Sequence, residues 1–501
     1  MSVKVLLPGW AAPVIDFCTR QVPLGHPNPA SGQHLPFPPA LIPMTPTPEP
    51  LSFKEKFAYG LGDTASNFFF QTFNIFLIYY YTDVFGLAVG AVGTMFIVTR
   101  IFDAITDPLM GILADRTKTR WGKYRPYLLW IAVPYGVLGY LMFMNPELSD
   151  SGKLIYAYLT YSAMMLAYTA INIPYSALMG VMSPSTVERT SLSTYRFVCA
   201  FGGGLLVAML VTPLKNLLGG GSEVRGFQWT MAIFAVISIS MFLFTFWNTR
   251  ERVQASGDEK SNLKQDLGFL LRNRAWVVLF FVAIFTLTNV AVRNGVTVYF
   301  FKYFVGDDGT RVFLFFDQTA LFMTSGMLAM ILGVASTPFF TKRWGKRELM
   351  IVLSALNALS MLAFYFVPKD QIALMYLINI TGTFIVGPTP AIVWAMYADA
   401  ADYGDWKFNR RTTALVFSAA QFGQKMGLAL GGSVAGWCLA YFGYVANVEQ
   451  TARALGGIRI LFTAAPATFA LLSVAMMAFY PLKESMVKQI ELELAARKAT
   501  T

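Results

Sequence analysis

Arg120-Trp121-Gly122-Lys123, within ADRTKTRWGKYRPYLLW (114–130), returns 223 residues later as Arg343-Trp344-Gly345-Lys346. A second echo links Tyr79-Tyr80-Tyr81-Thr82-Asp83 with Tyr299-Phe300-Phe301-Lys302-Tyr303 at nearly the same offset. Two echoes in similar register mark a chain built from two related halves. Around each lie apolar stretches of about 20 residues separated by short polar breaks, the length a helix needs to cross a ~30 Å hydrocarbon core. Twelve such spans are expected, near 59–82, 88–113, 127–145, 153–181, 195–218, 228–248, 275–304, 317–340, 349–367, 372–398, 413–442 and 457–480. The expected fold is thus an all-α membrane protein with two six-helix halves.

Composition agrees. Of 501 residues, 55% are hydrophobic and 13% charged, against roughly a quarter charged in a typical soluble protein. The net charge of +11 lies in short loops and reports topology rather than nucleic-acid binding. Arg116, Lys118, Arg120, Lys123 and Arg125 crowd the second loop, and Lys342, Arg343, Lys346 and Arg347 the eighth. By the positive-inside rule both termini are expected in the cytoplasm. The expected division is a Pro-rich disordered tail at 1–50, a first half at 51–248, a cytoplasmic linker at 249–274, a second half at 275–482, and an amphipathic cytoplasmic tail at 483–501. Twelve of the 25 prolines fall in the first fifty residues. Composition there makes Met44 the expected start, with a genuine regulatory tail as the alternative.

His26 and His34 are the only histidines, and Cys18, Cys199 and Cys438 are widely separated. Neither a zinc site nor a disulfide framework is expected, and imidazole chemistry is excluded from the membrane body. No Walker loop, HExxH or GxSxG occurs there, which argues against a membrane enzyme. A transporter is expected instead, and no cofactor.

Asp103 and Asp107, in RIFDAITDP (100–108), stand four apart on one face of the second span. Two carboxylates there repel unless a cation or proton sits between them. Thr106 and Thr169 are hydroxyls able to complete an oxygen cage for a monovalent cation. The plainer alternative is an ion pair with Arg100 that ties helices together. Arg293, inside the seventh span, has three readings: clasping a uronate carboxylate, neutralising the acids of the second span, or snorkelling to the membrane surface. Trp394 and Tyr168 offer flat faces for sugar rings, with ordinary packing as the alternative for each.

YYYTDVFGL (79–87), GTMFIVTRIFDAITDP (93–108), ADRTKTRWGKYRPYLLW (114–130), YTAINIPYSALMG (168–180) and ADAADYGDWKFNRR (398–411) together resemble the glycoside/pentoside/hexuronide:cation symporter family, the melibiose permease group of the major facilitator superfamily. The resemblance runs from about residue 52 to the C-terminal region. It implies a major facilitator fold and import of a glycoside, xyloside or glucuronide by alternating access, coupled to Na⁺, Li⁺ or H⁺. It gives the cation to Asp103 and Asp107, with Thr169 matching a hydroxyl ligand and Thr106 standing where melibiose permease has Asn. The sugar site matches at Arg196 and Lys425. Asn67 and Asn172 stand where melibiose permease has Asp, Ser66 where it has Lys, and Ser176 where it has Trp; an α-galactoside is therefore not the expected substrate. The basic loop with Arg116, Arg120 and Lys123 resembles the superfamily's gating motif, with Asp399, Asp402 and Asp405 as acids of opposite sign. The alternatives are an uncoupled facilitator or exchanger and a lipid-type carrier. The working unit is expected to be a monomer in a bacterial-type inner membrane.

Overall fold

A computed structural model describes residues 50–183, 185–252, 263–341, 343–408 and 413–500. The Pro-rich tail and part of the central linker lie outside the described residues. Helices begin where small polar side chains precede apolar runs: Ser52, Ser149, Ser222, Asn273, Asp317 and Thr451 each accept a bond from an N–H three residues ahead. Such caps satisfy donors that a helix leaves without partners.

The first half contains α1 (Phe53–Tyr79), α2 (Val89–Arg116), α3 (Arg125–Leu141), α4 (Asp150–Met182), α5 (Thr186–Gly219) and α6 (Glu223–Asn248). A short α7 (Leu263–Arg272) follows. The second half contains α8 (Arg274–Tyr299), α9 (Gln318–Ala335), α10 (Thr337–Thr341), α11 (Lys346–Tyr365), α12 (Ile372–Val386), α13 (Thr389–Phe408), α14 (Thr413–Tyr441), α15 (Ala452–Phe462) and α16 (Ala464–Ala478), and α17 (Glu484–Thr500) ends the chain. Every expected span is met by helix. Eight helical runs are long and apolar enough to cross a membrane. The protein is an integral membrane protein with the two-half architecture expected.

Three spans that read as continuous are broken, at Ser336, at Gly387–Pro388 and at Thr463. At the second break α9 and α12 approach so closely that a Cβ on Gly387 would lie 2.6 Å from the Gly333 Cα. Only glycine allows that contact. The halves meet mainly along α2 on α14, α5 on α9, and α1 on α8.

Both RWGK loops lie at one end of the bundle, hereafter the basic end. Their surroundings differ. The Glu251 carboxylate accepts from the backbone N–H groups of Lys123 (2.9 Å), Tyr124 (2.8 Å) and Arg125 (3.0 Å), capping α3. Gly122 has φ +111°, and a Cβ there would strike that carboxylate. In the second loop Lys346 pairs instead with Asp399 at 2.6 Å. The tail helix α17 docks on the second half, burying Val487 and Ile490. There the Trp406 indole N–H donates to Glu493 at 2.5 Å.

Candidate functional site

Between the halves lies a cavity of about 810 Å³, within the range of small-molecule sites. It is walled by α1, α2, α4 and α5 from the first half and mainly by α13 and α14 from the second. Toward the basic end, Ser418 and Gln421 of its α14 wall are exposed.

Intramembrane charges must be paired or hydrated, and those lining the cavity are paired. Asp103, 4% exposed, accepts from Arg100 Nη1 at 2.7 Å, three residues back on α2. Its other oxygen, Oδ1, is buried without a partner. Asp107 accepts from the Thr169 hydroxyl of α4 at 2.8 Å and from Lys425 of α14, an ion pair joining the two halves. Asp63 on α1 accepts from Arg196 Nε on α5 at 2.5 Å. Of the expected site residues, Asp107, Thr169, Asn172, Arg196, Lys425 and Trp394 line the cavity, Arg100 and Asp63 join them, and Asp103 is not among the lining residues.

Other expected site residues lie elsewhere. The Thr106 hydroxyl bonds back to the Asp103 carbonyl at 3.4 Å and does not face the cavity. Asn67 is not among the cavity-lining residues; its amide donates to the Asp63 carbonyl at 2.9 Å, and its Cβ borders Gly203 of α5. Asn172 reaches the cavity with much of its amide committed, accepting from Ser66 at 2.8 Å and donating to the Tyr168 carbonyl at 3.0 Å.

Arg293 meets neither of its two cavity readings, nor the surface one. It points into the second half, with its guanidinium 4.9 Å from the Phe462 ring centre and 5.6 Å from that of Phe364. Nη2 donates to Asn379 Oδ1 at 3.3 Å, and no carboxylate pairs with it among the described residues. Its neighbour Ala291 lines the cavity, and two residues turn an α-helix by about 200°. Of the expected gating residues, Arg116 is exposed, Arg120 stacks on Trp121 with 4.4 Å to the ring centre, and Lys123 is held through its backbone by Glu251. Asp399 takes Lys346 of its own half, and Asp402, half-buried, stands one turn further along α13.

At the end opposite the RWGK loops a polar network joins the halves, and sequence reasoning did not anticipate it. α1 and α8 each finish in a wide π turn, Tyr80–Val84 and Phe300–Val305. Lys302 donates to Tyr79 Oη (2.9 Å), to Asp83 (3.2 Å) and to Asn447 (2.9 Å). The Asp83 carboxylate, with no side-chain exposure, also accepts from Tyr444 at 2.5 Å and from Tyr303. Thr82 and Tyr299 share a bond of 2.6 Å. The cavity ends at Ile78, Ala291 and Gly432, near this network.

A two-half helical bundle enclosing a largely apolar cavity set with a few paired charges defines a membrane transporter of the major facilitator class. Residues 58–484 match the family model described as MFS/sugar transport protein, and the chain belongs to that family. It is 39% identical over 453 residues to the inner membrane symporter YicJ of Escherichia coli (strain K12), a match covering 90% of this chain and 96% of YicJ. It is 36% identical over 432 residues to the isoprimeverose transporter of Lactiplantibacillus pentosus, covering 85% and 88% of the two chains. The crystal structure of the nucleoside transporter NupG shares the fold, with a TM-score of 0.59 at 14% identity, covering 86% of this chain and all of that one.

Proposed function

We propose that this protein is a symporter that imports a glycoside or pentoside together with a monovalent cation. The observation that carries the reading is the Asp107–Lys425 pair beside the unpartnered Asp103 Oδ1. Lys425 holds with its ammonium the position a coupling ion would need. A Na⁺ or Li⁺ ion drawn to the two carboxylates and the Thr169 hydroxyl, or a proton on one carboxylate, releases Lys425 into the cavity. There its N–H groups become donors for sugar hydroxyls, so ion and sugar bind better together than apart. That differential is what coupling requires.

Membership of the sugar-transport family and likeness to proteins named symporter and isoprimeverose transporter support this reading. The basic end is cytoplasmic, as are both termini; the membrane is the bacterial inner membrane, and the working unit is a monomer. The structure is then inward-open, its outer end held by the Lys302–Asp83 network. Breaking that network while the inner ends close turns the cavity outward, and Arg116, Arg120 and Lys123 face Asp399 and Asp402 in that second state.

Purified protein in lipid vesicles tests the proposal with imposed Na⁺, Li⁺ or H⁺ gradients and a panel of labelled xylosides, glucosides and glucuronides. Accumulation driven by at least one of these gradients is expected. Equilibration without accumulation under all three identifies an uncoupled facilitator and overturns the coupling.

A further inference from the structure

We infer that Asp63 makes the site selective for uncharged sugars, by occupying the arginine that would otherwise take a sugar carboxylate. The inference rests on the proposed glycoside site and names its substrate class.

The asparagines that the wall of α1, α4 and α5 presents to the cavity are Asn74 and Asn172. Asn67 stands off the cavity, and Asn172 is engaged by Ser66 and Tyr168. The charged groups this wall presents to the cavity are Asp63 and Arg196. Arg196 is held in place: Nε lies 2.5 Å and Nη2 3.5 Å from the Asp63 oxygens, and its guanidinium sits 5.2 Å from the Tyr175 ring centre. Tyr175 is itself fixed by reciprocal bonds with Tyr59, each hydroxyl donating to the other's carbonyl.

One edge of a guanidinium matches a carboxylate with two parallel N–H bonds. Here that edge is filled by a carboxylate belonging to the protein. A uronate approaching it finds the Nε/Nη2 edge already taken and meets a like charge beside it. A neutral sugar meets the opposite: an ionised carboxylate offers about four acceptor positions, and Arg196 uses only part of them, so hydroxyl donors find a partner. Arg100 and Lys425, the other cations lining the cavity, are engaged by Asp103 and Asp107. Selectivity thus comes from an obstacle to the wrong ligand as well as from contacts to the right one.

The test uses the full chain, purified, with p-nitrophenyl β-D-glucoside, β-D-xyloside and β-D-glucuronide as probes in equilibrium titration. Wild-type protein is expected to bind at least one neutral probe about tenfold more tightly than the glucuronide. Asp63→Asn should weaken the neutral probes and tighten the glucuronide, moving their ratio by at least about tenfold. The charge-balanced double variant Asp63→Asn/Arg196→Gln leaves no lone arginine and should show no gain for the glucuronide; it keeps the measurement available if the single variant does not fold. A wild-type preference for the glucuronide overturns the inference. So does an equal loss for all three probes in Asp63→Asn, the mark of a residue that merely ties α1 to α5. Wild-type protein that binds none of the probes overturns the inference and the glycoside reading together. Failure of gradient-driven uptake with the binding preference intact counts against symport alone and leaves Asp63 in its role.

Discussion

The two halves share a scaffold and divide the chemistry unequally. The acids lining the cavity, Asp63 and Asp107, both come from the first half, as do Thr169, Arg196 and Arg100, the last paired with the buried Asp103. The second half contributes one charge, Lys425, and amides at Gln421 and Gln424. Another of its intramembrane cations, Arg293, is turned away from the cavity among aromatic rings. Even the shared RWGK motif is capped differently, by Glu251 in one copy, while Lys346 pairs with Asp399 in the other. Duplication preserved helix lengths and loop charge, which any membrane bundle needs, and freed the cavity-facing positions to diverge.

The largest effect that would sharpen this division is expected at the cross-half pair. Asp107→Asn should cut gradient-driven accumulation by about a hundredfold while downhill exchange continues; full accumulation by the variant in vesicles would place coupling elsewhere. A smaller effect is expected at the outer network, where Lys302→Met removes a charge-assisted bond set. The outward population should rise about tenfold, read as spin-label distances between the outer ends of α1 and α8. An unchanged distance distribution would show that the aromatic contacts alone hold that end.

Arg293 supplies the contrasting case. Arg293→Lys loses the flat stacking on Phe364 and Phe462 and should cost about 1–2 kcal/mol of stability. Relative uptake of glucoside and glucuronide, and the apparent cation affinity, should stay as in wild type. A change in either would return Arg293 to the cavity. The smallest effect concerns Asp317, the N-cap of α9, which accepts from Asn216 of α5 at 3.2 Å and so also joins the halves. Burial, with Asp307 nearby, raises its pKa from 3.8 to about 6. An acid with a raised folded-state pKa binds its proton more tightly when folded, so it penalises stability above pH 6 and the penalty fades as pH falls through that value. Asp317→Asn, which can still cap α9, should raise the melting temperature at pH 7.5 and leave it unchanged near pH 4. Equal shifts at both pH values would assign the effect to packing.

The helical spans and the buried acids Asp103 and Asp107 were legible because long apolar runs, and carboxylates inside them, announce themselves. Asp63 was equally announced, four residues from Asn67, yet the family resemblance drew attention to the later position. The breaks at Ser336, Gly387 and Thr463 were hidden because hydropathy continues across them. Arg293 shows the opposite limit: sequence places a charge at membrane depth but leaves open which way it faces until the neighbouring helices are in place. Asp83 was visible in YYYTD, but its partners Tyr303, Lys302 and Tyr444 lie more than 200 residues away, beyond any local pattern.

The matched π turns say something about ancestry. Gly86 and Gly306 close them with φ +86° and +88°, and the alignment that pairs these glycines also pairs Tyr79 with Tyr299, Thr82 with Lys302, and Asp83 with Tyr303. Tyr79 and Tyr299 touch, their ring centres 5.7 Å apart. Equivalent residues that meet lie on a local two-fold axis, as in a symmetric dimer. In a single chain the two copies of this position are free to differ, and here Lys302 of one half locks on Asp83 of the other while its own counterpart is Thr82.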